Sequence, residues 1–467
     1  MQVPILQGIY TDSSGDFRQS YPKNLVPVPL QNGVSSGYLR PADGLVKQGD
    51  GPGEDRGGIN WDNVCYRVMG SKLVAIREDG SLEIIGDVGD NDKLVSMTYS
   101  FDYLAIASDR KLWLYDKQEL KQVDDPDTGV VLDVIWVDGY FMFTDGEFIV
   151  VTEIDDPFSV IPTKYGSSEA NPDDINGLLK LRNESYAINR YSIEVFTNVG
   201  GGGFPFQRIS GAHIERGAVG THASTIYNNT LAFVGSALNE ANAVWVGVSG
   251  QTSKISTREI DIILSGYTEA ELSIINMETK FDKGYNHLYI HLKDQTLVYD
   301  AVASQEFSTP VWFILTSTLT GLGEYRANNF VYCYDRWLVG DPSSFAYGYT
   351  TDKVSNHNGL EIGWEFGTSI VYNETNGAQF HELELVSLTG RTAFGDNPTI
   401  WTSYSHDGVT FSNERGIKAG KQGARNKRLI WLQQGHMEST RIQRFRGTSD
   451  AFISIARLEA RIEPLSE

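Results

Sequence analysis

Between Val64 and about Tyr349 the chain repeats one pattern: a short apolar or alternating run, a turn built on Asp, Asn or Gly, then another run. The first set predicts strands at Val64–Met69, Lys72–Arg77 and Leu82–Ile85, broken at Gly70-Ser71 and Asp79-Gly80. The second predicts Leu94–Thr98, Asp102–Ala107, Lys111–Tyr115 and Leu120–Val123, and the third Val131–Val137, Tyr140–Phe143 and Glu147–Val151. Asp138-Gly139 and Asp145-Gly146 hinge the third set, and Asp-Gly between apolar runs is a strong hairpin signal because both residues tolerate positive φ. Comparable sets recur near Leu178–Phe196, His213–Val248, Ile274–Asp300 and Asn328–Tyr349, a spacing of about 40–50 residues per meander. A lone meander leaves both edges and one face uncovered. Radial stacking into a β-propeller of about six or seven blades over residues 61–355 closes the structure, with a stacked sandwich pair as the alternative.

After about Thr350 the strands lengthen: Ile362–Tyr372, His381–Leu388, Thr399–Ser405, Lys427–Gln433, Thr440–Arg446 and Ala451–Ile462. Residues 356–467 read as a C-terminal β-sandwich-like docking domain, so the expected fold class is all-β. Residues 1–60 differ again: Pro22, Pro27, Pro29, Pro41 and Pro52 sit among Gly49, Gly51, Gly53, Gly57 and Gly58, which predicts an extended, loop-rich N-terminal arm or cap. Helical periodicity is scarce. The best candidate is Thr268–Met277, with Thr268 as cap and Glu269 and Glu271 in the first turn.

The 467 residues exceed what one hydrophobic core fills, in keeping with this division. Lys and Arg number 39 against 60 Asp and Glu, a net charge of −21 that opposes any general duplex-DNA binder. Such a surface does suit a wall past which DNA slides without adhering. The two cysteines, Cys65 and Cys333, lie in apolar runs and read as buried free thiols. No signal peptide and no membrane-length apolar run is recognisable, so no membrane insertion and assembly in a cytoplasm are expected.

Each candidate for chemistry fails a specific requirement, and no catalytic residue, cofactor or metal site is expected. His287 and His291 have the spacing of helical zinc ligands, yet Leu288-Tyr289-Ile290 reads as strand, which sets the imidazoles about 13 Å apart. Asp87–Asp92 lacks the distal bidentate Glu of a calcium loop and reads as a solvated turn, as does Asp124–Asp127. Gly200–Gly203 lacks the Lys-Ser/Thr pair of a phosphate cradle and reads as a hairpin tip. Ser405-His406-Asp407-Gly408 resembles the structural Asp-box turn of sialidases and argues for a hairpin rather than hydrolysis. One charge asymmetry stands out: Arg415, Lys418, Lys421, Arg425, Lys427, Arg428, Arg441, Arg444 and Arg446 face the single acid Glu438. They read either as solvated edge-strand faces or as a docking surface for an acidic partner, a second copy of this chain included.

Several stretches resemble the packaged-DNA stabilisation family of short-tailed bacteriophages, also called tail accessory, hub or nozzle factors. They are Ser35–Arg40 with Gly44-Leu45, Val64–Val68 with Gly70 and Lys72-Leu73, Ser265–Glu269, Met277–Thr279 with Phe281-Asp282, His287–Leu292, and Leu297–Asp300 leading to Ser304-Gln305 and Trp312. The likeness is collinear and covers roughly the first two thirds of the chain. It implies a structural virion-tail protein: a homo-hexameric ring below the portal-adaptor (head-tail connector) protein that extends and closes the DNA channel. It also implies a tail needle or plug, a tailspike or tail fibre nearby, and only transient, non-specific proximity to duplex DNA during ejection. The alternatives carried forward are a propeller that binds or hydrolyses polysaccharide, and a monomeric interaction scaffold.

Overall fold

The computed structural model describes residues 2–3, 5, 9–10, 19–30, 35–154, 156–373 and 376–465. Seven antiparallel sheets follow one another along the chain. Blade 1 comprises Asp55–Trp61, Val64–Met69, Lys72–Ile76 and Leu82–Asp87. Blade 2 comprises Ser96–Tyr99, Leu104–Ser108, Lys111–Tyr115 and Leu120–Gln122, and blade 3 comprises Asp133–Val137, Tyr140–Thr144, Phe148–Thr152 and Val160–Ser167. Blade 4 runs from Ile175–Leu181 to Phe206–Arg208, blade 5 from Gly217–Ala218 to Gln251–Lys254, and blade 6 from Asn276–Asp282 to Val311–Leu315. Blade 7 takes Asn328–Cys333, Arg336–Gly340 and Ala346–Thr351, and its outermost strand is Gly44–Asp50 from before blade 1.

The inner strand of each blade packs beside the inner strand of the next, and blade 7 returns to blade 1, so the seven sheets form a closed ring. Central strands are buried on both faces because each blade lies between two others: Leu104–Ser108 and Tyr140–Thr144 are buried at every position. Two-residue turns join many of the strands. Asp62-Asn63, Asp109-Arg110, Asp138-Gly139 and Asn228-Asn229 have positive φ at both positions, the geometry that matches the twist of the flanking strands.

The expected helix at Thr268–Met277 is a correction. Thr268 does cap, and its capping box with Glu271 is complete, but the helix ends at Leu272 and Asn276–Asp282 becomes the inner strand of blade 6. Ring closure outweighs local propensity there. Two further helices, Arg258–Ser265 and Ala301–Phe307, decorate blades 5 and 6.

The second unit is a sandwich. One sheet orders Leu25–Pro29, Gly37–Pro41, Ser454–Pro464, Ala378–Leu388 and Leu429–Leu432, with Gln2–Val3 and His436–Met437 beside it. The other orders Gly363–Gly367, Thr440–Thr448, Thr399–Ser405 and Arg415–Lys418, with Val371–Tyr372 on Thr440–Thr448. Phe366, Phe380, Phe445 and Trp431 fill the space between them. The expectation of a loop-rich arm over residues 1–60 is therefore corrected at 25–61: these residues supply two strands to the sandwich, the closing strand of blade 7 and the first of blade 1. Pro27 and Pro29 misled because they occupy an edge strand, where a missing N–H is tolerated. Residues 6–8, 11–18 and 31–34 of that expected arm lie outside the described residues.

Residues 22–24 stitch the two units. The Ile314 N–H of blade 6 donates to Pro22 O (2.9 Å), the Asn24 N–H donates to Ile314 O (2.8 Å), and the Lys23 N–H donates to Glu365 O of the sandwich (2.8 Å). The Asn24 side chain adds bonds to Gly363 O (2.7 Å) and from Thr316 N (2.9 Å). His357 lies buried at the same seam, its Nδ1 2.7 Å from Ser317 Oγ, and burial pushes its pKa down to about 3.

Candidate docking surface

The nine cations singled out in the sequence do not form one surface. The sandwich strand Thr440–Thr448 alternates, and Arg441, Gln443 and Phe445 point inward on the same face. Arg441 is 1 % exposed; its guanidinium lies 4.2 Å from the Phe380 ring centroid and 3.8 Å from that of Tyr404, and it donates to Gln443 Oε1. Burial without a carboxylate partner lowers its pKa to about 10. Arg441 is thus removed from the docking set, because its partners are aromatic faces in the interior.

Arg444 and Arg446 are half-buried on the outer face and share Glu414, a residue just ahead of the run in which Glu438 is the single acid. Arg444 also lies over the Phe411 ring. Arg415 donates to Leu432 O, Lys418 to Asn397 O and Thr399 Oγ1 (2.9 Å), and Arg428 to Glu384 (2.7 Å). Lys421, Arg425 and Lys427 remain exposed in the loop between Arg415–Lys418 and Leu429–Leu432, and among the described residues no carboxylate pairs with them.

That loop is braced against a second one. The Thr389 hydroxyl donates to Ala424 O (3.0 Å), and Gly423 N–H donates to Gly390 O (3.0 Å). The braced segment 389–398 presents Phe394 at 93 % exposure, the most exposed large apolar side chain of the described residues. Sequence reasoning missed Phe394; the available signal was a lone aromatic amid Thr, Gly, Arg, Asp, Asn and Pro.

The sequence motifs elsewhere resolve into structure. His287 and His291 lie in the strand Tyr285–His291; His287 faces Asp300 (3.2 Å), and His291 faces Glu278 (2.6 Å) and Thr296 (3.0 Å). The acidic stretch Asp87–Asp92 is more than a solvated turn. It wraps the buried Arg56, which donates to Gly89 O (2.9 Å) and Asn91 Oδ1 (2.9 Å) and pairs with Asp90 (3.3 Å). Gly200–Gly203 joins the paired strands Ile193–Asn198 and Phe206–Arg208. Asp407 accepts from Val409 N (2.9 Å), Thr410 N (2.7 Å) and Ser405 Oγ (2.8 Å), bonds that hold its carboxyl well below the carboxylate range and shape the Ser405–Phe411 turn. Cys65 and Cys333 are both free and buried.

Clefts of 810 and 510 Å³ open near the starts of the inner strands, lined in part by Glu54, Asp92, Glu271, Lys93 and Lys293. Between the blades sits a buried ion pair: Arg67 Nε and Nη2 each lie 2.7 Å from an Asp55 oxygen, and Asn329 of blade 7 donates to the same carboxylate (2.6 Å). In the neighbouring cleft His222 lies beside Asp133, whose carboxylate accepts from Leu178 N (2.7 Å) and from the Ser96 hydroxyl. These groups bond across blade boundaries, and what they do chemically is hold blades together.

Residues 1–355 match the family described as bacteriophage P22 Gp10, β-propeller, and residues 363–463 match its β-sandwich. The chain belongs to this Gp10 family. It is 28 % identical over 462 residues to the tail hub protein gp10 of Salmonella phage P22, covering 93 % of this chain and 94 % of that one. Among solved structures it is similar to the computationally designed Ika8 protein, with a TM-score of 0.35, 14 % identity, and coverage of 74 % and 100 % of the two chains. It is also similar to Kluyveromyces lactis Hsv2, with a TM-score of 0.36, 9 % identity, and coverage of 71 % and 95 %. Membership in the Gp10 family makes this chain a structural tail-hub component of a short-tailed phage, with an all-β propeller-and-sandwich fold.

Proposed function

We propose that six copies of the chain form a ring on the lower face of the portal-adaptor assembly, continue the DNA channel, and retain the packaged genome with a needle or plug until ejection. A tailspike or fibre attaches nearby, and assembly takes place in the host cytoplasm. The observation that carries this reading is the match to the P22 tail hub protein across nearly the whole of both chains. Physical features agree with it. Each copy adds a charge of −21, so duplex DNA meets a lumen that does not hold it. The blades interlock through buried hydrogen bonds and ion pairs. The basic loop carrying Lys421, Arg425 and Lys427 is suited to an acidic partner.

The test is electron microscopy of the purified chain added to portal-adaptor complexes of the same phage. A six-membered ring seated on the adaptor supports the reading. Unlinked single copies on the adaptor, or no attachment, would overturn it.

A further inference from the structure

The charge of this chain is unevenly distributed. Residues 96–167, which span blades 2 and 3, contain fourteen acids and five cations, Arg110, Lys111, Lys117, Lys121 and Lys164, the last paired with Glu153. Lys117 and Lys121 are already engaged by Asp62 and Glu119. On the face of blades 2 and 3 where the first strand turns into the second, Phe101 is 87 % exposed and rests edge-on against Trp136, with ring centroids 5.9 Å apart. Ile154, also exposed, lies over Gly139 in the neighbouring turn. Asp102, Asp138 and Asp156 surround these two apolar groups, and among the described residues no cation pairs with them. The result is an apolar centre whose rim carries three carboxylates, with Lys180 seated over the Trp136 ring at 4.6 Å.

The sandwich tip is its complement. Phe394 stands exposed in a loop that also carries Asp396, and the loop braced against it bears Lys421, Arg425 and Lys427, unpaired among the described residues, so cations outnumber acids there. The two patches also lie where a ring needs them. The sandwich is stitched to the ring at blade 6 and leads into blade 7, and blade 3 is across the sevenfold ring from that side. They share one face: Arg391 and Phe452, beside the tip, line a 320 Å³ cleft together with Lys283 and Tyr285 from the first turn of blade 6. Asp102 and Asp138 occupy the equivalent turns of blades 2 and 3. Different patches at opposite ends of one subunit make a head-to-tail contact, the kind that closes into a ring rather than stopping at a dimer.

We propose that the sandwich tip of one copy docks on blades 2 and 3 of the next, with Phe394 against Phe101 and Ile154, and with Lys421, Arg425 and Lys427 facing Asp102, Asp138 and Asp156. This rests on the ring reading above and names the surfaces that form it. Exposed aromatics enclosed by opposite charge are the composition of an interface centre and its rim.

The test uses the full chain on portal-adaptor complexes, with copies per complex counted by native mass spectrometry. The basic-tip variant K421E/R425E/K427E and the acidic-patch variant D102K/D138K/D156K should each leave incomplete rings, with inter-copy affinity lowered at least about tenfold by like-charge contact. Both sets combined in one chain should restore complete rings, an outcome that a folding defect cannot produce. F394C combined with F101C should give crosslinks between copies under mild oxidation. Complete rings from either single set, or no rescue in the combined chain, would overturn the proposal while leaving the ring reading intact. Absence of rings from the parent chain would overturn both.

Discussion

The imidazole of His357 gives the propeller–sandwich seam a defined response to acid. It is buried, its Nδ1 meets the Ser317 hydroxyl at 2.7 Å, and that hydroxyl in turn accepts from Arg326 N (2.9 Å). The Ser317 hydroxyl and Nδ1 share one hydrogen bond, and burial keeps the ring neutral. Burial holds the folded pKa at about 3 against an ordinary 6.5. The unfolded chain thus binds the proton more strongly, so the stability of the folded form is whole above pH 6.5 and falls as pH drops from 6.5 towards 3. At about 1.36 kcal/mol per unit, the loss from this single group is about 2 kcal/mol at pH 5. His357→Asn keeps an acceptor near Nδ1 and cannot be protonated in this range. Urea unfolding of both proteins, followed by tryptophan fluorescence at pH 7.5 and pH 5, measures the difference. The variant should gain about 2 kcal/mol on the parent between the two values, because all other titrating groups are common to both. Parallel pH dependences would refute the reasoning.

Two buried cations offer further tests of the interior. Arg67→Met leaves the Asp55 carboxylate buried between blades 1 and 7 without its bidentate partner, which should cost about 3–5 kcal/mol, and Asp55→Leu added to it should recover most of the loss in thermal unfolding. Arg441→Met should change the melting temperature little, because a thioether chain suits the site between Phe380 and Tyr404, whereas Arg441→Glu should unfold the sandwich at markedly lower temperature. If Arg441→Met instead impaired assembly while leaving melting unchanged, Arg441 would return to the docking surface.

How much the sequence reveals depends on how far apart the partners lie. Asp138-Gly139 announces its hairpin because turn and strands are contiguous, and the blade-to-blade spacing follows from repeats of that signal. Gly44–Asp50 gives no such signal: its partner Ala346–Thr351 lies some 300 residues onward, and a short run with two glycines acquires strand character only from the pairing. Leu25–Pro29 is hidden the same way, since two prolines read as loop until the strand is seen at a sheet edge. Arg441 was within reach. Counting back in steps of two from the apolar Phe445 passes through Gln443 to Arg441, which assigns that cation to the core face, whereas counting charges alone assigns it to the surface. Phe394 had a local signal, a lone aromatic in a polar loop, but the bracing of that loop against residues 423–427 is a contact that no local pattern encodes.

The order in which the chain is threaded bears on what a hub must withstand. Had the sandwich simply followed the propeller, force applied to it would reach the ring through a single connection near residue 360. Instead Leu25–Pro29 and Gly37–Pro41 are strands of the sandwich, and the chain then passes directly into Gly44–Asp50, which seals blade 7 beside blade 1. The return connection at Gly363–Gly367 lies against residues 23–24, so both crossings meet at one seam. A pull on the sandwich is therefore shared between two covalent crossings and a row of backbone hydrogen bonds, which must break together rather than in turn. The strand that closes the ring is itself anchored in the sandwich sheet, so neither unit opens without loading the other. A coupling under load needs that property, and it arises from the position of some twenty residues ahead of the first blade.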